Sequence, residues 1–306
     1  MEVDRIPIII DCDPGVDDFF CLAIACANRN LFDIRGVTTI GGNNTTKVTT
    51  KNALDILHLL RCDDIPVYAG AGRYLASEFG PPSSRVHGKN GVGELVLEPS
   101  PNSAQKMDAW DAIYTVAKEL NGRLRLVTVG PLTNIALTIL KYPDIRRYIC
   151  GITCMGGSSL EGNVNAYGEA NIIHDALAAK IVFNSGIPID MIGLHATHDL
   201  RLDPELFDTF IENRGELFKI MRHLIGFVHG DSMYDAIAIA TLVDDSWVEW
   251  KETKVDVEAH SGKALGWTMF TDHPLSSGER IHRISWKMEK EGYHKIFRDM
   301  AEYFCR

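Results

Sequence analysis

Ile6-Pro7-Ile8-Ile9-Ile10-Asp11-Cys12-Asp13-Pro14-Gly15-Val16-Asp17-Asp18 is the stretch on which the reading of this chain turns. It opens with a short Ile-rich run, the pattern of a parallel strand buried on both faces. Strand alternation sends Asp11 and Asp13 to the same side. Pro14-Gly15 then turns the chain, and Asp17 and Asp18 open a helix, whose amino end favours negative charge. Four carboxylates therefore converge on one strand-to-helix corner. Like charges so placed repel and raise one another's pKa values; a hard divalent cation with oxygen ligands resolves the conflict. An N-cap with a solvated acidic turn accounts for Asp17 or Asp18 alone, but not for four aspartates directly after a buried run.

Outward from this corner the same grammar repeats. Short apolar runs occur at Ile34–Ile40, Pro66–Ala69, Leu124–Val129, Ile149–Met155 and Ile187–Ile192, each followed by turn residues such as Gly-Gly-Asn-Asn or Gly-Pro-Leu-Thr-Asn. Between the strand-like runs, Phe19–Asn28, Lys47–Leu60, Thr133–Lys141 and Asp175–Asn184 read as helices. Alternating strands and helices predict an α/β fold: a doubly wound, mostly parallel, Rossmann-like sheet with helices on both faces, as one domain over residues 1–306. Ligands bind at the carboxyl ends of the strands in such sheets, so the turns should line one crevice. Ser77–Asn102, rich in Gly, Pro and Ser, reads as a long mobile loop over that crevice or as a surface insertion. Leu200–Arg222 looks helical, and Glu249–Ile284 alternates like strands or a hairpin.

Composition narrows the partners. With 45% apolar and 24% charged residues over 306 positions, the chain can bury a large core. A formal net charge of -10 argues against nucleic acid and anionic membrane as partners. No apolar run is long enough to span a bilayer. The acidic amino-terminal residues lack the basic and apolar regions of a secretory signal. The seven cysteines form no CxxC pair and no zinc pattern, which suggests a reducing, cytoplasmic setting.

Asp-x-Asp-Pro-Gly-x-Asp-Asp after an N-terminal strand resembles the signature of the inosine-uridine-preferring nucleoside hydrolases. The resemblance recurs in order: Gly42-Asn43, His87-Gly88, Gly130-Pro-Leu-Thr-Asn-Ile-Ala, Gly156-Gly157, Gly162-Asn163, Glu169-Ala-Asn171 and Asp235, covering roughly residues 6 to 245. It implies Ca²⁺-dependent hydrolysis of the N-glycosidic bond of ribonucleosides, giving ribose and a free base. Asp13, Asp18 and Asp235 would supply carboxylate ligands to the cation and Val129 a backbone carbonyl. Ribose hydroxyls and a water would complete a shell of about six to eight oxygens. Asp13 would also act as general base toward the attacking water. Asp17, Asn43, Asn163, Glu169 and Asn171 match residues that grip the ribose, and Asp11 one that supports the cluster from behind. His87 matches a histidine near the base. By the same resemblance the protein is expected to be a homodimer or homotetramer acting on a small nucleoside.

Plainer roles compete at several positions. Asn43 and Asn163 could be turn residues, Asp235 a helix cap and His87 a solvated loop histidine; Thr133 and Asn134 read best as helix caps. His195 and His198 lie three apart with no third soft ligand nearby, and read as structural. The sequence also departs from the family: Phe19-Phe20-Cys21 replaces small residues, and Tyr234 stands before Asp235 where a histidine usually donates a proton to the leaving base. A tyrosine, with an ordinary pKa near ~10, donates less readily at neutral pH but can stack on a base. Two other readings stay open. Strand-Asp-x-Asp also opens haloacid-dehalogenase-like Mg²⁺ phosphatases, which need a downstream lysine and a second acidic pair, for which Asp244-Asp245 is a candidate. A nucleoside-binding protein that has lost turnover is the other.

Overall fold

The Ile-rich run at the chain's start becomes β1 (Ile6–Cys12), flanked in parallel by β2 (Phe32–Thr39) and β4 (Leu124–Thr128). The computed structural model describes residues 5–80, 83–197, 199–208, 210, 215–229, 233–260, 262–271 and 281–306. Beyond β2 lies β3 (Val67–Ala69); beyond β4 lie β5 (Ile149–Met155) and β6 (Ile189–Ile192), all parallel. The order β3-β2-β1-β4-β5-β6 reverses direction between β1 and β4, the switch point at which doubly wound sheets open a crevice.

Three further strands extend the sheet. β9 (Ile281–Met288) pairs in parallel with β6, and β7 (Val248–Val257) and β8 (Thr268–Thr271) follow in antiparallel order. The alternation in Glu249–Ile284 thus holds two antiparallel strands and the start of a third, while 261 and 272–280 lie outside the described residues. The interior position of β9 has no counterpart in the sequence pattern, because nothing local distinguishes a last strand that inserts from one that adds at an edge.

Helices cover both faces. β1 shows how the pleat divides them: Ile8, Ile10 and Cys12 face the core that holds α1 (Val16–Ala27), whereas Ile9 faces the core beneath α4 (Ala109–Leu120) and α5 (Thr133–Lys141). The remaining helices are α2 (Thr46–Leu59), α3 (Ser84–His87), α6 (Ala170–His174), α7 (Ala176–Phe183), α8 (Glu216–Phe227), α9 (Tyr234–Val243) and α10 (Lys290–Phe304). The four expected helices form within a few residues of their expected bounds, α1 starting earlier because extended Gly15 caps it. Leu200–Arg222 is not one helix: a single turn of 3₁₀ helix spans Pro204–Phe207 before α8, with 209 and 211–214 outside the described residues.

The unusual Phe19-Phe20 pair is fully buried in α1. Phe20 stacks on Phe207 at 6.3 Å and leans on Phe297 of α10 at 5.5 Å, so the larger side chains fill space against the C-terminal helix. Burying each ring contributes about 1.5–3 kcal/mol. All seven cysteines are free thiols, and no helix among the described residues is long and apolar enough to cross a membrane.

Candidate active site

The end of β1 and the start of α1 fold back on each other through Asp18. Its Oδ1 accepts the backbone N–H of Asp13 at 3.1 Å and its Oδ2 that of Gly15 at 2.8 Å. Asn43, in the turn after β2, braces the same corner. Its backbone N–H donates to Asp13 Oδ2 at 2.6 Å, and its Nδ2 to the Asp13 carbonyl at 3.2 Å and Asp18 Oδ2 at 3.3 Å. Gly42 and Gly130 stand either side of the Asp13 carboxylate. A Cβ on them would lie 2.3 Å from Oδ2 and 2.6 Å from Oδ1, so only glycine lets both strand ends close on Asp13.

Asp235 enters from the first turn of α9. Carboxylate oxygens of Asp17, Asp18 and Asp235 all lie within 4.8 Å of one another. Asp13 Oδ1 and Asp17 Oδ1 are buried and accept no hydrogen bond. Among the described residues no lysine or arginine pairs with any of these four acids. Burial, followed by repulsion from Asp17, pushes Asp18 up to about 7. Asp13 and Asp235 are driven well above the usual carboxylate range, first by burial and then by the neighbouring aspartates. Hard oxygen donors, orphaned acceptors and uncompensated charge together fit a divalent cation.

Asp11 lies directly behind. Its Oδ1 accepts Thr38 Oγ1 at 2.5 Å and Asn134 Nδ2 at 2.8 Å, its Oδ2 has no partner, and burial pushes its pKa up to about 7 against those two bonds. Asn134 also donates to the Thr39 carbonyl at 3.1 Å and accepts the Ala71 N–H at 3.0 Å. It therefore ties the ends of β1 and β2 to the turn after β3. This corrects the expectation of a cap: Leu132 precedes α5 as its cap, Thr133 Oγ1 donates inward to Asp175 at 2.7 Å, and Asn134 points at Asp11. Its place directly after a strand at the switch point was the available signal.

Above the corner opens a cavity of about 330 Å³, in the range of small-molecule sites. Asp17, Asn43, His87, Val129, Asn163, Glu169, Asn171, Tyr234 and Asp235 all line it. Asp11, Asp13 and Asp18 are buried beneath its floor. Glu169 caps α6 and accepts the N–H groups of Gly157, Asn171 and Ile172 at 2.9 to 3.1 Å; burial still raises its pKa. Asn171 Nδ2 donates to the Val129 carbonyl at 3.1 Å and the Met155 carbonyl at 3.2 Å. Asn163, exposed at the rim, accepts the Ala170 N–H at 2.9 Å. Val86, Val164, Val228, Met155 and Met233 supply the apolar walls; no residue type marked them in the sequence as more than ordinary core or loop.

The Ser77–Asn102 segment does not stand off as a mobile loop where described. Asn44 Nδ2 and Asn52 Nδ2 donate to the Lys89 and Asn90 carbonyls, each at 2.9 Å, and pull it onto α2. His87 is buried rather than solvated, and burial lowers its pKa against the pull of Asp17. Tyr234 is half-buried at the first residue of α9. His229 is exposed and does not line the cavity, although Val228 beside it does. His195 pairs through Nε2 with the Ser285 carbonyl at 2.8 Å beside Phe270 and Trp286, a structural setting; His198 lies outside the described residues. Asp244-Asp245 sits past the far end of α9, about 13 Å along the helix from Asp235, too far for a phosphatase's second acidic pair.

The model of the family described as inosine-uridine preferring nucleoside hydrolase matches residues 8–295. A pyrimidine-specific ribonucleoside hydrolase RihA from Photobacterium profundum is 35% identical, aligned over 97% of this chain and 99% of that one. A RihA from a Shewanella strain is 33% identical, over 96% and 95%. A purine-preferring ribonucleoside hydrolase from Gardnerella vaginalis superposes with a TM-score of 0.91 at 28% identity, covering 98% of this chain and 99% of that one. A plant nucleoside hydrolase, PpNRh1, superposes with a TM-score of 0.90 at 26% identity, over 96% and 98%.

Proposed function

Because the chain belongs to the inosine-uridine preferring nucleoside hydrolase family, as an N-ribohydrolase acting on N-glycosyl compounds, we propose that its aspartate corner holds one Ca²⁺ and that Asp13 activates the attacking water. The observation that carries this reading is the pair of buried, partnerless oxygens, Asp13 Oδ1 and Asp17 Oδ1, beside the convergent carboxylates of Asp17, Asp18 and Asp235. Asp13, Asp18, Asp235 and the Val129 carbonyl would hold the cation. When bound, it neutralises the corner and lowers the pKa of a water there.

In this reading the free lone pair on Asp13 Oδ1 takes the proton as water attacks the anomeric carbon. Gly42, Gly130 and the Asn43 N–H fix that carboxylate, so little reorganisation accompanies the transfer. The sugar passes through an oxocarbenium-like transition state. Asp17, Asn43, Asn163, Glu169 and Asn171 hold the ribose. An ionised Glu169 retains acceptor capacity beyond its three backbone bonds. Contacts that strengthen as the ring flattens and gains charge raise turnover rather than mere affinity. Val86, Val164, Val228 and Met233 take the base, with Tyr234 stacking on it or donating to it.

The test is a panel of purine and pyrimidine ribonucleosides read by reducing-sugar release, in chelator and after Ca²⁺ is restored. Release of ribose that chelation abolishes and Ca²⁺ recovers is expected. Undiminished hydrolysis in demetallated protein would remove the cation, and ligand-induced thermal stabilisation without ribose release would make the protein a binder. We also propose a cytoplasmic location, which fractionation of cells checks, and a homodimer or homotetramer, which light scattering on purified protein checks.

A further inference from the structure

Asp175 is a buried carboxylate to which the reaction gives no part. It is 2% exposed and does not line the cavity. It stands where α6 ends and caps the start of α7. Three uncharged groups donate to it: the Ala178 N–H to Oδ1 at 3.1 Å, and the Thr133 hydroxyl and the Leu75 N–H to Oδ2 at 2.7 and 2.9 Å. A buried carboxylate held by neutral donors is costly to deprive of any one of them, so the three segments are fixed relative to one another. All three run back to the aspartate corner. Thr133 follows the turn in which Gly130 abuts Asp13 Oδ1, and it precedes Asn134, which holds Asp11. Leu75 follows Tyr74, which stacks on His174 of α6 at 5.8 Å and meets Phe79 edge-on at 4.6 Å. Phe79 in turn covers Gly41, beside the Gly42-Asn43 turn; a Cβ on Gly41 would lie 2.4 Å from its ring.

The third segment, α6, is five residues long, too short to be stable by itself. Glu169 caps it and Asn171 lies in its first turn. On the cavity side Asn171 ties it to the Val129 carbonyl at 3.1 Å; away from the cavity the Thr133–Asp175 bond joins the same two segments. We propose that Asp175 is a positioning residue: through Thr133 and Leu75 it locks α6, with Glu169 and Asn171, to the turns that enclose Asp13, and so fixes how far the sugar sits from the attacking water. This deepens the hydrolase reading and rests on it. Asp175 touches neither sugar nor base and acts through α6. The rate depends on it because a displacement of about 1 Å in groups that hold the transition state can cost about a hundredfold.

Three variants of the full chain test this. Thr133→Val replaces the donating hydroxyl by a methyl group, and Thr133→Ser keeps the donor. In Asp175→Asn one oxygen becomes a donor and meets the N–H of Leu75 or of Ala178. With uridine and inosine as substrates, Thr133→Val and Asp175→Asn should lower kcat about ten- to a hundredfold with KM within about threefold, since misplacement removes transition-state contacts and not uniform binding. Thr133→Ser should stay within about threefold of the wild type. In hydrogen exchange, the Asn171 and Ile172 N–H groups that donate to Glu169 should open about fivefold more often in Thr133→Val, while those of β7 keep their protection. Wild-type kcat in folded Thr133→Val, a rise in KM alone, equal losses in Thr133→Val and Thr133→Ser, or unchanged exchange would each overturn the positioning role. If Asp175→Asn does not fold, Thr133→Val decides. If wild-type protein cleaves no riboside, the hydrolase reading fails separately, and exchange alone decides whether Asp175 holds α6.

Discussion

Two places in this molecule bury aspartate at a strand, and they solve the problem in opposite ways. Asp190 of β6 is gripped by Arg283 through Nε and Nη2, each at 2.8 Å, and by Arg125 at 3.0 Å. Those guanidinium partners overcome burial and hold its carboxyl below the usual range. At the end of β1, four carboxylates share a corner with no arginine or lysine among the described residues, and the pKa values of Asp13, Asp18 and Asp235 rise. The first arrangement offsets desolvation with paired charge. The second leaves it unpaid, which a protein sustains only where something outside the chain completes the site. Burial alone therefore does not separate structural from working carboxylates, but their compensation does.

The sharpest way to break the contrast is to remove one acid from each place. Asp13→Asn should lower kcat about a thousandfold or more, since it removes the base while keeping an acceptor for the Asn43 N–H. Metal-free, the variant should melt no lower than the wild type, because one repelling group is gone. Asp190→Asn should do the reverse: about 2 kcal/mol less stable in denaturant titration, with kcat within about twofold. If Asp13→Asn destabilises the metal-free protein as much as Asp190→Asn does, the corner is holding the fold together and the contrast collapses.

A smaller effect lies in pH. Asp190 binds its proton less readily folded than unfolded, so its contribution is present above about pH 4 and is lost as pH falls through its lowered folded value. Asp11 and Asp18, raised to about 7, behave oppositely. Their contribution is full below the unfolded value of 3.8 and is lost as pH rises through about 7. In chelator, melting temperature should therefore decline between pH 4 and 7; in saturating Ca²⁺ the decline should flatten, because the ion favours the ionised forms. Parallel melting profiles in the two conditions would show that the corner takes up no cation.

The same contrast explains what could be read in advance. Asp11, Asp13, Asp17 and Asp18 were legible because residue type, strand period and turn chemistry all act within eight positions of the chain. The parallel sheet was legible from its Ile- and Val-rich runs. Asp190 gave no such signal: its partners lie 65 and 93 residues away, and only the β4, β6 and β9 pairing brings them together. Asn134 was misread as a cap for the same reason, since its partner Asp11 is 123 residues distant. Ser77–Asn102 looked detached because its composition is that of a loop. What pins it are Asn44 and Asn52, outside the segment, and the Val16 N–H. The amphipathic helices α4 and α10 carry an apolar periodicity that is local to their own residues and so lies in the sequence.

The strand that joins the two halves of the sheet, β9, follows every other described strand in the chain, yet it sits between β6 and β7. Until a ribosome has passed Met288, β6 has an open edge and β7 has no neighbour on that side. The helix that follows is tied to the pocket as well: Tyr293 donates its hydroxyl to the Met233 carbonyl at 3.0 Å, immediately before Tyr234-Asp235. Translation therefore acts as a timer. A nascent chain can assemble β1 to β6 early, but the turn that aims Asp235 is anchored only once Tyr293 has been made, so a product terminated before it would be sticky and inert together.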